Sequence, residues 1–285
     1  MGGRGSCYLN YNNNDYNDEV LLNNILNNAE NDEDTLKEHN GKTQKLKDKN
    51  IHIKQSTDHI EEEVLMPNIN KVDSLTRKYI ETSNILDKKQ TELAIRSDVL
   101  KGDAVACFIG NSDFSSLQII LKKDLSFANR ERAEAISQNE IDTGSWSKSD
   151  KNEAINHPIT HEFGHYVQRV LMEKDKQTKE GKEKYAQLEI DLKKTKTNKE
   201  REKILKTYSE DYATKYFKEI QRIHRRMFGV KEDESEISRY GRTSNTEAFA
   251  ELFANLNTTK QPYKLSLAME EFLKEHMNVK GKKDW

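Results

Sequence analysis

Large apolar side chains are unevenly spread along this chain. Residues 1–65 are rich in Asn, Asp, Glu and Lys and carry few large apolar residues after Leu26. Such a segment buries too little surface to offset its ordering entropy, which predicts a disordered or loosely helical polar arm. Within it, Val20-Leu-Leu-Asn-Asn-Ile-Leu26 has the spacing of one or two amphipathic helical turns that could dock a partner. From 66 to 285 the pattern becomes that of a globular domain. Leu75, Tyr79, Ile80 and Ile85 predict an opening helix, and Val105–Ile109 and Ser116–Leu121 predict two short strands around the turn signal Gly110-Asn-Ser-Asp113. Ile159, Phe163, Tyr166, Val167 and Val170 recur at helical period and give a helix one apolar face. Between 174 and 230, Tyr185, Leu188 and Leu192, then Leu205, Tyr208, Tyr212, Ile220 and Ile223, predict two amphipathic helices separated near Lys193–Lys199. That makes an inserted helical hairpin, either a solvated spacer or a clamp on a protein substrate. A last amphipathic helix from Ser244 carries Phe249, Leu252, Phe253 and Leu256 on one side.

The polar sides of two of these helices hold the chemistry. His161-Glu162-Phe163-Gly164-His165 places two imidazoles four residues apart, one above the other on a helix. Both can bind one zinc ion at ~2.0–2.1 Å, with Glu162 beside them as general base toward a metal-bound water. The extended pattern with a third histidine does not apply, because Gln168 and Leu171 stand where Gly and His are required. His157 precedes Pro158, which disfavours a helical backbone there, so it is expected in the core or a loop; His224, among Arg222, Arg225 and Arg226, is expected to be solvated.

A catalytic zinc usually takes three protein ligands. On the last helix Glu247 and Glu251 lie four apart on one stripe. Ser244-Asn-Thr-Glu247 also fits a capping box, in which Glu247 turns back to the helix start and leaves Glu251 as the ligand. Periodicity does not choose between them, and a plain solvated face fits the same stripe. Ala248, Ala250 and Ala254 let two helices approach closely.

HEFGH followed by Ser238-Arg-Tyr-Gly-Arg-Thr-Ser-Asn-Thr-Glu-Ala-Phe-Ala-Glu251 resembles the catalytic domain of the anthrax lethal factor-like zinc metallopeptidases, found also in phage and mobile-element proteins of Gram-positive bacteria. The resemblance covers about forty residues in these two motifs. It implies a zincin-like domain of α+β class, mostly helical, with a small mixed sheet and one Zn²⁺ per chain held by His161, His165 and Glu247. It further implies that Tyr240 stands beside the metal and that Glu251 supports a ligand histidine. The stretch between His165 and Tyr240 is longer than in the family, which bears on substrate choice and little on the site. An edge strand above the cleft, expected at 116–121, would pair with an extended substrate, whereas an internal hairpin fits the pattern equally. Trp146 is expected either to line the cleft or to join the core.

Composition narrows the functional classes. A net charge of −2 leaves no overall electrostatic footprint for nucleic acid. No apolar run reaches the ~20 residues of a membrane span, and the first residues lack the apolar core of a signal peptide, so the expected location is cytoplasmic, or exported without a signal peptide. Cys7 and Cys107 suggest neither a disulfide nor a metal site. The expected activity is zinc-dependent hydrolysis of peptide bonds in a protein or peptide substrate. The alternative is a phage or mobile-element interaction or assembly protein that keeps the fold without proteolysis. Such a protein needs neither Glu162 nor Tyr240, and both are present.

Overall fold

The structure is a computed structural model that describes residues 51–53, 60–83, 85, 93–98, 105–110, 117–122, 129–231 and 233–277. Helices dominate it. They are α1 (Glu62–Leu75), α2 (Arg130–Asp142), α3 (His157–Lys176), α4 (Lys179–Lys194), α5 (Asn198–Phe228), α6 (Asn245–Thr258) and α7 (Lys264–Met277). A wider helical turn, Thr76–Glu81, extends α1. Four strands form one mixed sheet: β1 (Ile51–Ile53), β2 (Leu93–Asp98), β3 (Ala106–Gly110) and β4 (Leu117–Lys122).

The strand order is β1-β2-β4-β3, with β1, β2 and β4 parallel and β3 antiparallel to β4. Ile95, Ile119 and Phe108 share one cross-strand row, and Ile95 and Ile119 are fully buried in the main core. The two strands expected around Gly110 are present, but β4 is an inner strand. Strand β2, which the sequence reading did not foresee, pairs with the side of β4 that was expected to be free. Among the described residues, the sheet edge beside the helices is therefore β3.

The core is built on α3 and α6. Phe163 of α3 meets Phe253 of α6 with ring centroids 6.1 Å apart, and Tyr79 packs against Phe253 at 4.9 Å. Tyr216 of α5 bridges Phe249 of α6 and Phe272 of α7. Each such ring, fully withdrawn from water, contributes about 1.5–3 kcal/mol before packing terms are added. Gly164 sits where the two helices come closest: a β-carbon there would stand 3.0 Å from Ala250 Cα and 3.2 Å from Phe253 Cβ. Ala250, one of the small residues expected to allow a close approach, thus meets a glycine of the other helix that the sequence reading had not named for this role.

Two boundaries differ from expectation. Ile60, Val64 and Leu65 lie in the main core, and Ile51–Ile53 pair with β2, so the globular part begins before residue 66. The segment around Val20–Leu26 lies outside the described residues. Residues 174–230 do form a helical hairpin, broken at 195–197 as the sequence suggested. Its outer part has its own small cluster of Leu188, Leu192 and Leu205. Its inner part does not behave as an insertion, because Tyr212, Tyr216, Phe217, Ile220 and Ile223 of α5 complete the main core. His224, expected in solvent, is buried beside Phe228 with its ring centroid 5.0 Å away. The arginines around it point elsewhere on a helix whose period puts residue 224 on the same face as Ile220.

Candidate metal centre

Helix α3 starts at His157, whose backbone is helical (φ −58°, ψ −50°) although Pro158 follows. A short helical turn, Lys151–Asn156, runs directly into α3, and the proline occupies the first turn, where a missing N–H costs nothing. That start sets the rotation of the helix, so that His161, Glu162 and His165 face α6 and β3. All three are buried.

Helix α6 supplies the rest. Ser244 is its N-cap and accepts the Glu247 N–H at 3.2 Å, but the Glu247 carboxylate does not turn back to complete a capping box. It lies against the histidines instead: Glu247 Oε2 is 3.1 Å from His161 Nε2 and 3.4 Å from His165 Nε2, and the two Nε2 atoms are 3.2 Å apart. Ligands held ~2.0–2.1 Å from a tetrahedral centre stand about 3.3–3.4 Å from one another. The triangle of donor atoms, chemically an N₂O set, therefore fits a zinc ion with a fourth position open. The same three residues form a group able to hold a metal. A second group, Glu219, Glu275 and His276, is at the surface, and two of its members are already paired, Glu219 with Arg222 and Glu275 with Arg226.

Glu251 stands behind this triangle. Its Oε1 accepts from His161 Nδ1 at 2.8 Å, which fixes the ring's orientation and leaves Nε2 as the nitrogen that would bind a metal between Glu247 and His165. Three further groups hold Glu251: Ser147 N–H donates to Oε2, Ser147 Oγ donates to its backbone carbonyl at 2.9 Å, and His157 Nε2 faces Oε1 at 3.4 Å. His157 in turn stacks on Trp146, centroids 5.0 Å apart and planes 8° from parallel, and its Nδ1 hydrogen-bonds Ser149 at 2.8 Å. Trp146 is thus core, and His157 supports the site from a distance.

Electrostatics follow from this burial. Burial opposes charge on His161, but the hydrogen bonds it donates to Glu247 and Glu251, with their negative charge, outweigh it and raise its pKa well above the usual imidazole value. Burial alone would raise both carboxyls; His165 and His161 outweigh it at Glu247, and His157 and His161 at Glu251, so both are held well below the usual carboxylate range. At Glu162 burial wins over the pull of His165 and His161, and the carboxyl is raised. Its Oε2 accepts the Phe108 N–H of β3 at 2.7 Å.

Tyr240 arrives on a short turn. Its N–H and that of Arg239 donate to the carbonyls of Ser145 and Gly144, two backbone bonds that tie the turn to the segment following Gly144 at φ +69°. Only glycine adopts that conformation without strain. Arg242 Nε donates to the Ile237 carbonyl and Thr243 Oγ1 to that of Tyr240, so the motif residues after Tyr240 lock the turn that presents it. The Tyr240 ring lies 5.5 Å from that of His161, and its hydroxyl hydrogen-bonds Glu247. Burial, with the charges of Glu247 and Glu162, pushes the phenol far above its usual pKa and keeps it a donor.

Every residue singled out in the two motifs is therefore brought together: His161, Glu162, His165, Tyr240, Glu247 and Glu251. Sequence reasoning missed His157, Ser147, the Phe108 N–H and Glu210, which caps α6 from another helix. Only His157 carried a usable signal, its place one helical turn before His161. Comparison with protein-family models, with curated proteins and with solved structures gives no match. Among the described residues, no helix is long and apolar enough to cross a membrane.

Proposed function

We propose that this chain is a zinc-dependent endopeptidase of the lethal factor-like, zincin type. The observation that carries the reading is the donor triangle of His161, His165 and Glu247, with edges of 3.1–3.4 Å, lined by a buried glutamate and a protonated tyrosine. Zn²⁺ bound there would supply a Lewis acid that activates a water and polarises the scissile carbonyl. The protein's own groups do the rest. Glu162, anchored by one oxygen to the Phe108 N–H and raised in pKa, accepts the water's proton and returns it to the departing amine. Tyr240, held neutral, donates its O–H to the oxygen on which negative charge develops. Glu251 keeps His161 in its ligating tautomer. Strand β3 offers its outer edge to an extended peptide, the role first expected of 116–121.

Elemental analysis of the purified protein and its variants, with cleavage of a mixed peptide library, tests this. Expected are one zinc per chain, zinc lost in His161→Ala and Glu247→Ala, and zinc kept with turnover reduced at least about 100-fold in Glu162→Gln. Unimpaired cleavage by Glu162→Gln would sink the mechanism. Stoichiometric zinc with no cleavage of any peptide would assign the chain to the binding proteins instead.

A further inference from the structure

Helix α6 opens with a sequence that ordinarily turns its own glutamate inward. In a complete capping box the N3 carboxylate accepts the N-cap amide, and this chain contains such a box at the start of α5: Thr197 Oγ1 accepts the Glu200 N–H, and Glu200 Oε2 accepts the Thr197 N–H. Ser244 and Glu247 have the same spacing at the start of α6, yet only the serine half forms. The difference between the two helices is an outside carboxylate. Glu210, midway along α5, accepts the Asn245 N–H through Oε1 at 2.8 Å, and through Oε2 the Thr246 N–H at 3.1 Å and the Thr246 hydroxyl at 2.8 Å. One turn further on, Thr214 accepts from the Asn245 side chain at 3.0 Å.

We propose that Glu210 is a positioning residue for the metal ligand Glu247. A helix N-terminus attracts negative charge through its unbonded N–H groups and its dipole. Left to itself, the first turn of α6 would draw in the nearest carboxylate, which is that of Glu247. Glu210 satisfies the first two amides and the positive end of the helix from α5, and Glu247 is released to face His161 and His165. The inference rests on the zinc-site reading and gives the 174–230 hairpin a task within it.

Zinc affinity, measured by competition with a chromophoric chelator, and the visible spectrum of the Co²⁺-substituted protein test the proposal in wild type, Glu210→Gln, Thr246→Val and Thr197→Ala. Thr197→Ala removes the cap of α5, away from the site, and controls for a general loss of helix stability. Glu210→Gln is expected to weaken zinc binding by about tenfold or more and to alter the Co²⁺ bands. Thr246→Val, which removes one contact and spares the fold, is expected to weaken binding by about threefold. Thr197→Ala is expected to lower the melting temperature without changing either metal readout. Zinc binding and Co²⁺ bands unchanged in Glu210→Gln and Thr246→Val would overturn the positioning role while leaving the zinc site standing. A wild type that takes up no zinc would overturn both.

Discussion

His161 is flanked by two carboxylates, one on each ring nitrogen, and this has a measurable result for metal uptake. In the metal-free protein the two carboxylates raise its pKa well above the usual imidazole value, so a zinc ion binding at Nε2 would compete with a proton. The sign is fixed: below the raised pKa, apparent zinc affinity falls as pH falls, by up to about tenfold per pH unit for one displaced proton. For the metal-free fold the sense is opposite: the stabilisation from the charged ring is complete below the unfolded pKa of about 6.5 and is lost as pH rises through the folded value. Calorimetry of zinc binding in two buffers of different protonation enthalpy should report proton release; none would contradict this charge state. At this scale the sequence was informative wherever function recurs at helical period, as for His161, His165, Glu247 and Glu251. For His157 it left core and loop open, and the helix start at that residue places it in the core; it was misleading at His224, whose arginine neighbours suggested solvent while the helix rotation buried it. Glu210 was silent, because its partners are 35 and 36 residues away and no local pattern marks it.

Between elements, the spacing of α3 and α6 sets the two edges of the donor triangle that run to Glu247, and Gly164 allows that spacing to be short. In an exposed helix Gly→Ala gains up to about 1 kcal/mol in backbone entropy. Here the added methyl would meet the Ala250 backbone at 3.0 Å, and overpacking of that kind costs about 1–3 kcal/mol. Gly164→Ala is therefore expected to lose about 1 kcal/mol of stability and to bind zinc more weakly, read by denaturant unfolding and chelator competition. A more stable variant with unchanged affinity would show that α6 can yield. Helices α3 to α6 were legible because their apolar faces repeat, with a local cap signal at Ser244, whereas α2 and α7 were not read from the sequence. The sheet was legible only in part. The β3–β4 hairpin is announced by its turn residues, but β1 is short, and its parallel pairing with β2 joins segments about forty residues apart with no signal in either.

For the molecule as a whole, a bound ion would clamp together the two helices on which the core is built. Free zinc at 100 to 1,000 times its dissociation constant stabilises a folded state by about 2.7–4.1 kcal/mol. Removal of zinc by a chelator is thus expected to lower the melting temperature by several degrees, and a melting curve indifferent to chelation would mean that no ion bridges α3 and α6. The clamp also spans the sequence. His161 and Glu247 are 86 residues apart, and among the described residues no group nearer to the start of the chain joins the two histidines. At roughly 5–20 residues per second, Glu247 is joined to a growing chain about 4–17 s after His161. On the zinc-site reading proposed above, the HExxH helix would lack a complete metal site throughout that interval, and the growing chain would be unable to cut its neighbours or itself.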